Sequence, residues 1–254
     1  MQLASAGQLK VVSYNIAMGM LMKSKWSQKR VIHKFLSNKK LKMSHILGLQ
    51  EICLNHPEQL ELFANIFKKQ FGIAYIHTGN QDPQAHASSC QKGQAIISAY
   101  PIVNSGRLQL PRVGSFRAAI WADIMLPSLG KTRVYNLHLS NRDGKNYAPI
   151  EGRWTQAKVV YDHALARLEI DPSMPVIILG DFNSLGHLYD PWVKEKTIVE
   201  FSQEFSSNHK RFSPTMVLPY MPDWIFYKNL TLHKSGISHF ISSDHLPIYT
   251  QFTL

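Results

Sequence analysis

Eight polar side chains interrupt short apolar runs or lie next to one end of them, and their types are those of catalytic sites. They are Asn15, Glu51, His138, Asp181, Asn183, Asp223, Asp244 and His245. A carboxylate at the end of a buried strand is costly unless a partner or a metal ion compensates its charge. One such residue alone is typical of a turn, but this many in one chain predict a shared functional site.

The residue types favour one class of chemistry. Asp, Glu and Asn offer oxygen ligands, which suit Mg²⁺ or Mn²⁺ better than zinc. Two histidines beside carboxylates can supply a base and a donor to phosphate oxygens. The sequence contains no Gly-x-x-x-x-Gly-Lys, Gly-x-Gly-x-x-Gly or Gly-x-Ser-x-Gly pattern, which weakens kinase, dehydrogenase and serine-hydrolase interpretations. Metal-assisted hydrolysis of a phosphate ester is the chemistry that these residues favour.

At the same residues the sequence resembles the endonuclease/exonuclease/phosphatase superfamily. This superfamily includes pancreatic-type deoxyribonucleases, abasic-site endonucleases, inositol polyphosphate phosphatases and neutral sphingomyelinases. The matching blocks follow the family's order over nearly the whole chain. They are residues 13–16, 49–51, 93–98, 136–139, 180–183, 223–226 and 243–247.

The resemblance implies a metal site at three of the polar positions. Glu51 would be the principal Mg²⁺ ligand, with Asn15 and Asp244 completing or supporting the site. Mn²⁺ is the alternative ion, since it accepts the same oxygen ligands.

The resemblance also implies the catalytic roles. His245 would be the general base that activates water for in-line attack, and Asp223 would orient its imidazole. Asp181 and Asn183 would place the water and the scissile phosphate. His138 would donate to a phosphate oxygen and stabilise charge in the transition state.

The pattern of apolar runs predicts an α/β fold. Strand-like runs outnumber the helical stripes and do not alternate strictly with them, which favours sheet packed on sheet with helices outside. The resemblance implies the same arrangement, a deoxyribonuclease-like four-layer sandwich with a two-sheet core. No linker or repeat divides residues 1–254, so we expect a single domain. The clearest predicted strands are residues 9–16, 45–52, 94–100, 118–126, 133–139, 176–179 and 248–252.

Three segments have helical periodicity. Ser27 is expected to cap the first helix, and Pro57 and Gly72 are expected to begin and end the second. Apolar residues spaced three and four apart over residues 150–168 predict the third.

The charge balance points to a polyanionic partner. The 28 Lys and Arg against 17 Asp and Glu give a net charge of +11, which favours nucleic acid, anionic lipid or another phosphate-rich molecule. The leading hypothesis is a nuclease that hydrolyses a nucleic-acid phosphodiester. The alternatives are a phosphoinositide or sphingomyelin-type lipid phosphohydrolase and an inactive binding module. A monomer with no obligate protein partner is expected.

Two adjoining segments bear on the substrate. Residues 23–30 are basic and contain Trp26, so they could grip a phosphate backbone or form a solvated helix start. Residues 16–22 are apolar, which is typical of core packing but also of lipid contact. Arg117 precedes a predicted strand, where a solvated strand-edge cation is favoured over a phosphate ligand.

Cysteine usage and targeting signals predict the compartment. Cys53 and Cys90 are too few for a disulfide framework, so two free thiols in a reducing compartment are expected. The sequence has neither a membrane-spanning apolar run nor a secretory signal pattern. A cytoplasmic protein is therefore expected, with export by a route that reads no such signal left open.

Overall fold

The computed structural model describes residues 7–19, 25–81, 90–143, 146–147, 150–184, 196–208, 214–216, 220–239 and 243–254. The helices of these residues are α1 (Lys25–Ser37), α2 (Pro57–Phe71), α3 (Ile150–Ile170) and α4 (Lys196–Glu204), with a 3-10 turn over Ala17–Gly19. Their strands are β1 (Gln8–Asn15), β2 (Ile46–Cys53), β3 (Tyr75–Asn80), β4 (Lys92–Ser98), β5 (Ile102–Gln109), β6 (Ala118–Leu126), β7 (Gly130–His138), β8 (Arg142–Asp143), β9 (Asn146–Tyr147), β10 (Val176–Asp181), β11 (Ser206–Ser207), β12 (Asp223–Lys228), β13 (Thr231–Ile237) and β14 (Ile248–Thr253).

The strands of the described ranges form two six-stranded mixed sheets and a short ribbon of β8 and β9. The first sheet has the order β13-β14-β1-β2-β4-β3, and the second has the order β11-β12-β10-β7-β6-β5. Apolar residues of both sheets, such as Leu49 and Leu179, belong to one buried cluster. The predicted two-sheet sandwich is therefore confirmed.

Helices cover the outer faces of both sheets, as expected. Phe35 of α1 and Phe63 of α2 are fully buried in the cluster that includes the first sheet. Val160 of α3 and Phe201 of α4 are fully buried in a second cluster with the outer face of the second sheet. Burial of these apolar stripes, rather than local helix propensity, is the main source of helix stability.

The helix boundaries agree with the sequence in two cases out of three. Pro57 begins α2, and Gly72 follows it in the left-handed region (φ 76°), donating its N–H to Lys68 O. The third helix, α3, covers the predicted stripe. The expected cap at Ser27 is wrong, because α1 begins two residues earlier, at Lys25.

Two parallel strand pairs collect the predicted site residues at one end of the sandwich. β1 pairs with β2 in parallel in the first sheet, and β7 pairs with β10 in parallel in the second. The carboxyl ends of parallel neighbours lie at the same sheet edge, so Asn15, Glu51, His138 and Asp181 meet there. This is the expected place for a site in a sheet with parallel strands.

The expectation of two free thiols is wrong. Cys53 at the end of β2 forms a disulfide with Cys90, which lies two residues before β4. Because β2 and β4 are antiparallel neighbours with Cys53 opposite Lys92, their pairing brings the two Cα atoms within 5.0 Å, a normal disulfide separation. Counting cysteines could not predict this proximity, since 37 positions separate them in sequence.

Among the described helices, none is long and apolar enough to cross a membrane.

Candidate active site

Strand register places three of the predicted residues side by side in the second sheet. Asp181, at the end of β10, is opposite His138 on one side and Asp223 on the other. All three are at least 98% buried. The alternation of strand side chains then directs them to the same face.

Gly180 makes the close approach of β10 and β7 possible. Its φ is 145°, and a Cβ atom at this position would lie 2.0 Å from the carbonyl oxygen of Leu137. No other residue type fits this backbone without displacing β7. The glycine before Asp181 in the sequence therefore has a structural cause.

Glu51 leaves the strand ladder at a β-bulge. The β2–β4 register shifts between Gln50 and Ile52, and Glu51 has a φ of 53°. Bulges re-aim a side chain, and a left-handed conformation is strained for a non-glycine residue. The Glu51 carboxylate contacts Lys92 Nζ at 3.4 Å and is 18% exposed.

His245 forms a buried pair with Asp223. His245 Nδ1 lies 2.9 Å from Asp223 Oδ2, and that oxygen also accepts a hydrogen bond from Thr215 Oγ1 at 2.6 Å. His245 Nε2 lies 3.7 Å from Asp181 Oδ2. Burial opposes the charged imidazolium, but the carboxylates of Asp223 and Asp181 outweigh this effect and raise the pKa of His245 to about 10.

Asp181 is the central carboxylate of the described site. Its Oδ2 accepts a hydrogen bond from Asn15 Nδ2 at 2.9 Å, and its Oδ1 accepts one from the backbone N–H of Asn183 at 2.8 Å. Burial, with the nearby negative charge of Asp223 as a further cause, raises the pKa of Asp181 to about 7. A nearby cation would stabilise the ionised form of a buried carboxylate whose pKa is raised in this way.

His138 lies between the two sheets, 1% exposed. Its Nε2 lies 3.5 Å from Asp181 Oδ2 and 3.8 Å from Glu51 Oε1. Burial and then the positive charge of Arg117 lower the pKa of His138 well below its usual value. A neutral His138 is suited to donate a hydrogen bond rather than to act as an acid.

The remaining predicted residues adjoin these groups. Asn183 donates from Nδ2 to Leu139 O at 2.8 Å and has a φ of 49°. Asn15 Oδ1 accepts the backbone N–H of Ala17. Asp244 is exposed and accepts a hydrogen bond from Ser243 Oγ at 3.1 Å.

The residues fit a divalent cation. Glu51 and Asp181 both present carboxylate oxygens towards His138 Nε2, so two hard oxygen ligands converge in one small space. In addition, ligand atoms of Asp181, Asp223 and His245 lie within 4.8 Å of one another. Asp223 and His245 already bond each other, whereas the carboxylate of Glu51 makes only a 3.4 Å contact with Lys92 Nζ and a 3.8 Å contact with His138 Nε2.

Arg117 is a site residue that sequence reasoning assigned wrongly. It is not a solvated strand-edge cation, since it is only 6% exposed. Its Nη1 donates to Gln81 Oε1 at 2.8 Å and lies 3.4 Å from His138 Nδ1. Neither Arg117 nor Gln81 follows an apolar run, so the pattern of apolar residues contains no signal for Gln81.

A polar network beneath the site joins the sheets. Gln50 Nε2 donates to Asn136 Oδ1 at 2.7 Å and to Ser13 Oγ at 3.1 Å. Asn136 Nδ2 in turn donates to the carbonyls of Leu49 and Ala95. These buried hydrogen bonds rigidify the floor on which the site is built, although Gln50 Oε1 has no hydrogen-bond partner among the described residues.

The two segments that bear on substrate choice are only partly covered by the structure. Residues 20–24 lie outside the described residues, as do the side chains of residues 25–29. In the described part of the apolar segment, Ile16 is fully buried and Ala17 is 7% exposed, which agrees with core packing. In the basic segment, only the side chain of Arg30 is described, and it is exposed.

Comparison with known families gives one match, over residues 12–245, to the model described as the Endonuclease/Exonuclease/phosphatase family. No protein with a curated description matches the sequence.

Solved structures of similar fold have low sequence identity. An endonuclease/exonuclease/phosphatase from Beutenbergia cavernae aligns with a TM-score of 0.73 and 18% identity, over 98% of this chain and 72% of the other. The catalytic domain of human Nocturnin with a bound sulfate anion gives a TM-score of 0.73 and 18% identity, over 97% and 95%. Truncated TDP2 from Caenorhabditis elegans gives a TM-score of 0.69 and 16% identity, over 97% and 98%. At these identities the likeness establishes the fold.

Proposed function

Because the chain belongs to the endonuclease/exonuclease/phosphatase family, we propose that it hydrolyses nucleic-acid phosphodiesters by Mg²⁺-assisted in-line attack of water. Family membership makes it a metal-dependent hydrolase of phosphoester bonds. The substrate, the identity of the ion and the role of each residue are the proposal.

The observation that carries the proposal is the buried Asp223–His245 pair beside Asp181. His245 Nδ1 is held by Asp223 at 2.9 Å, which leaves Nε2 as the atom that takes a proton from water. Asp223 selects this tautomer and stabilises the imidazolium that forms. The arrangement matches the geometric requirement for a general base oriented by a carboxylate.

The other site residues act on the phosphate and the water. Asp181 and Asn183 place the water and the scissile phosphate, and His138 donates from Nε2 to a phosphate oxygen. Donors aimed at developing negative charge in a buried site lower the barrier because they need no reorganisation. A Mg²⁺ ion held by Glu51, with Asn15 and Asp244, supplies Lewis-acid stabilisation of that charge when bound.

The charge of the chain supports a nucleic-acid substrate. A net charge of +11 attracts a polyanion and releases its counterions on binding. The lipid alternative depends on the apolar residues 16–22, of which residues 20–22 lie outside the described residues. We further propose that residues 1–254 act as one monomeric domain, since residues of both sheets contribute to the site.

One substrate panel tests the proposal. The protein is incubated with plasmid DNA, RNA, an abasic-site duplex, phosphoinositide vesicles and sphingomyelin vesicles, each with Mg²⁺ and with chelator. We expect Mg²⁺-dependent cleavage of a nucleic acid and none by the His245→Ala variant. Release of phosphate or phosphocholine from vesicles alone would replace the nuclease assignment with the lipid one.

A measurement with the catalytically inactive His245→Ala protein determines the electrostatic part of substrate binding without interference from hydrolysis. The affinity for an oligonucleotide should fall steeply and linearly on a log–log plot against salt concentration. An affinity that does not change with salt would contradict a phosphate-backbone substrate.

A further inference from the structure

We propose that Gln81 and Arg117 are positioning residues that fix the ring tautomer of His138, so that its Nε2 carries the hydrogen donated to the substrate phosphate. The catalytic role of this hydrogen rests on the proposed function. The tautomer itself follows from hydrogen-bond geometry alone.

The first step is the orientation of the Gln81 amide. A guanidinium group has only donors, so the atom that faces Arg117 Nη1 at 2.8 Å must be the amide oxygen Oε1. The oxygen and nitrogen of a glutamine are otherwise assigned only from such networks. Arg117 therefore determines which way the Gln81 side chain points.

The second step is the state of His138 Nδ1. With its oxygen held by Arg117, Gln81 presents Nε2, a donor, to His138 Nδ1 at 3.0 Å. Arg117 Nη1, also a donor, lies 3.4 Å from the same nitrogen. Two donors face Nδ1, so it must accept, and the hydrogen of the neutral ring must be on Nε2.

The third step is the other side of the ring. Among the residues that the structure describes, His138 Nε2 faces two carboxylate oxygens that accept hydrogen bonds when ionised, Asp181 Oδ2 at 3.5 Å and Glu51 Oε1 at 3.8 Å. These distances are too long for strong hydrogen bonds. The Nε2 hydrogen thus points towards the side of the ring on which Asp181 and Glu51 line the proposed substrate site.

Burial makes this selection effective. Gln81 is 2% exposed, Arg117 6% and His138 1%, so solvent is largely excluded from competing for these groups. Gln81 is also fixed by its backbone N–H, which donates to Lys92 O at 3.0 Å. Arg117 Nε has no hydrogen-bond partner among the described residues. The guanidinium is held by the hydrogen bond from Nη1 to Gln81 Oε1.

The nitrogen chemical shifts of the His138 ring test the tautomer directly in metal-free protein without substrate. We expect an unprotonated Nδ1 and a protonated Nε2 in the wild type. Gln81→Glu keeps the side-chain shape but replaces the donor with an acceptor, so Nδ1 should become protonated. Nδ1–H in the wild type, or an unprotonated Nδ1 in Gln81→Glu, would overturn the proposal.

Kinetics test whether the tautomer matters. Gln81→Met removes the donor, and kcat should fall about 10-fold with KM nearly unchanged, because the lost donation acts in the transition state. Gln70→Met is the matched control, since the Gln70 side chain accepts the backbone N–H of Met43 on the outside of the protein, and its kcat should be that of the wild type. Thermal unfolding of each variant establishes that it folds.

A double-mutant cycle tests whether Gln81 acts through His138. In the His138→Ala background, Gln81→Met should have no further effect on kcat. Equal losses in both backgrounds would show a different role for Gln81 and overturn the proposal. If the wild type hydrolyses no phosphate ester, the proposed function fails, while the ring shifts still decide the tautomer.

Discussion

His245 Nδ1 lies 2.9 Å from Asp223 Oδ2, although the two residues come from different sheets. Asp223 begins β12 of the second sheet, and His245 lies in the segment that leads into β14 of the first. The pair forms only when the two sheets are packed together. The geometry of the proposed base therefore depends on the assembly of the whole sandwich.

Loss of the His245 side chain should abolish most of the activity without weakening substrate binding. We expect His245→Ala to lower kcat by about 10³-fold, a typical contribution of general base catalysis. Asp223→Asn should lower kcat by a similar order, because the amide neither selects the working tautomer nor stabilises the imidazolium. Steady-state kinetics on the substrate found by the panel measure both.

The two substitutions should be strongly non-additive, since each leaves the other residue without its function. His56→Ala is a suitable control, because His56 is half exposed and contacts Glu58 rather than the site. A double variant whose loss equals the product of the single losses would contradict the coupled pair.

Removal of the metal should stop hydrolysis while leaving the fold in place. Oxygen-only sites of this kind bind Mg²⁺ weakly and contribute little to folding. Chelator should abolish activity, and Glu51→Gln, which removes one negative charge from the site, should lower kcat/KM by about 10²-fold or more. Activity assays at limiting Mg²⁺, paired with circular dichroism, measure the two effects. Full activity of the variant at limiting Mg²⁺ would eliminate Glu51 as a ligand.

Binding of Mg²⁺ should lower the pKa of His245. In the metal-free protein the negative charges of Asp223 and Asp181 raise that pKa to about 10, so the ring is protonated at neutral pH and cannot act as a base. A divalent cation beside Asp181 offsets part of this negative charge and favours the neutral ring. Titration of His245 by NMR, with and without Mg²⁺, measures the shift; an unchanged or higher pKa would contradict a cation next to Asp181.

The proximity of Asn15, Glu51, His138 and Asp181 could be predicted because each of them interrupts or ends an apolar run. Asp181 ends the buried strand β10, and Asn15 ends β1 in the same way. In such places a polar side chain is visible as an interruption of the pattern. Parallel pairing of the strands then brings these ends together.

Residues that join the site only through contacts between distant parts of the chain could not be predicted from the pattern of apolar runs. Arg117 follows Gly114, Ser115 and Phe116, a sequence typical of an exposed turn. It is buried beside Gln81, which follows β3, and His138, which ends β7. The disulfide has the same origin, because only the β2–β4 pairing brings the cysteines together.

Reduction of the Cys53–Cys90 disulfide should destabilise the protein. The bond closes a loop across 37 positions of sequence that contains α2 and β3. Loop-closure entropy predicts a contribution of about 4 kcal/mol to the free energy of unfolding. Urea denaturation with and without reductant measures it, and the Cys53→Ser/Cys90→Ser variant should be insensitive to reductant. A wild-type midpoint that is unchanged by reductant would show that the bond does not form in solution.

A histidine remote from the site should make stability depend on pH. His45 is 6% exposed, accepts the backbone N–H of Lys10 on Nδ1 at 3.0 Å and lies between the rings of Phe71 and Tyr100. Burial, followed by the positive charge of Lys10, lowers the pKa of His45 to about 4. The folded protein therefore keeps this ring neutral at pH values where the unfolded chain takes up a proton.

The difference in proton binding between the folded and unfolded states determines how the free energy of unfolding changes with pH. Above the unfolded pKa of 6.5 neither state binds the proton, so the stability from this residue is fully present. As the pH falls from 6.5 towards 4, only the unfolded state binds it, and at about pH 5 the loss should be roughly 2 kcal/mol. His45→Gln retains an acceptor for Lys10 but cannot titrate. Urea denaturation of both proteins in chelator, at neutral pH and at about pH 5, isolates the contribution of His45, because every other ionisable group is common to the two proteins. A wild type that loses no more stability than His45→Gln on acidification would contradict a buried neutral His45.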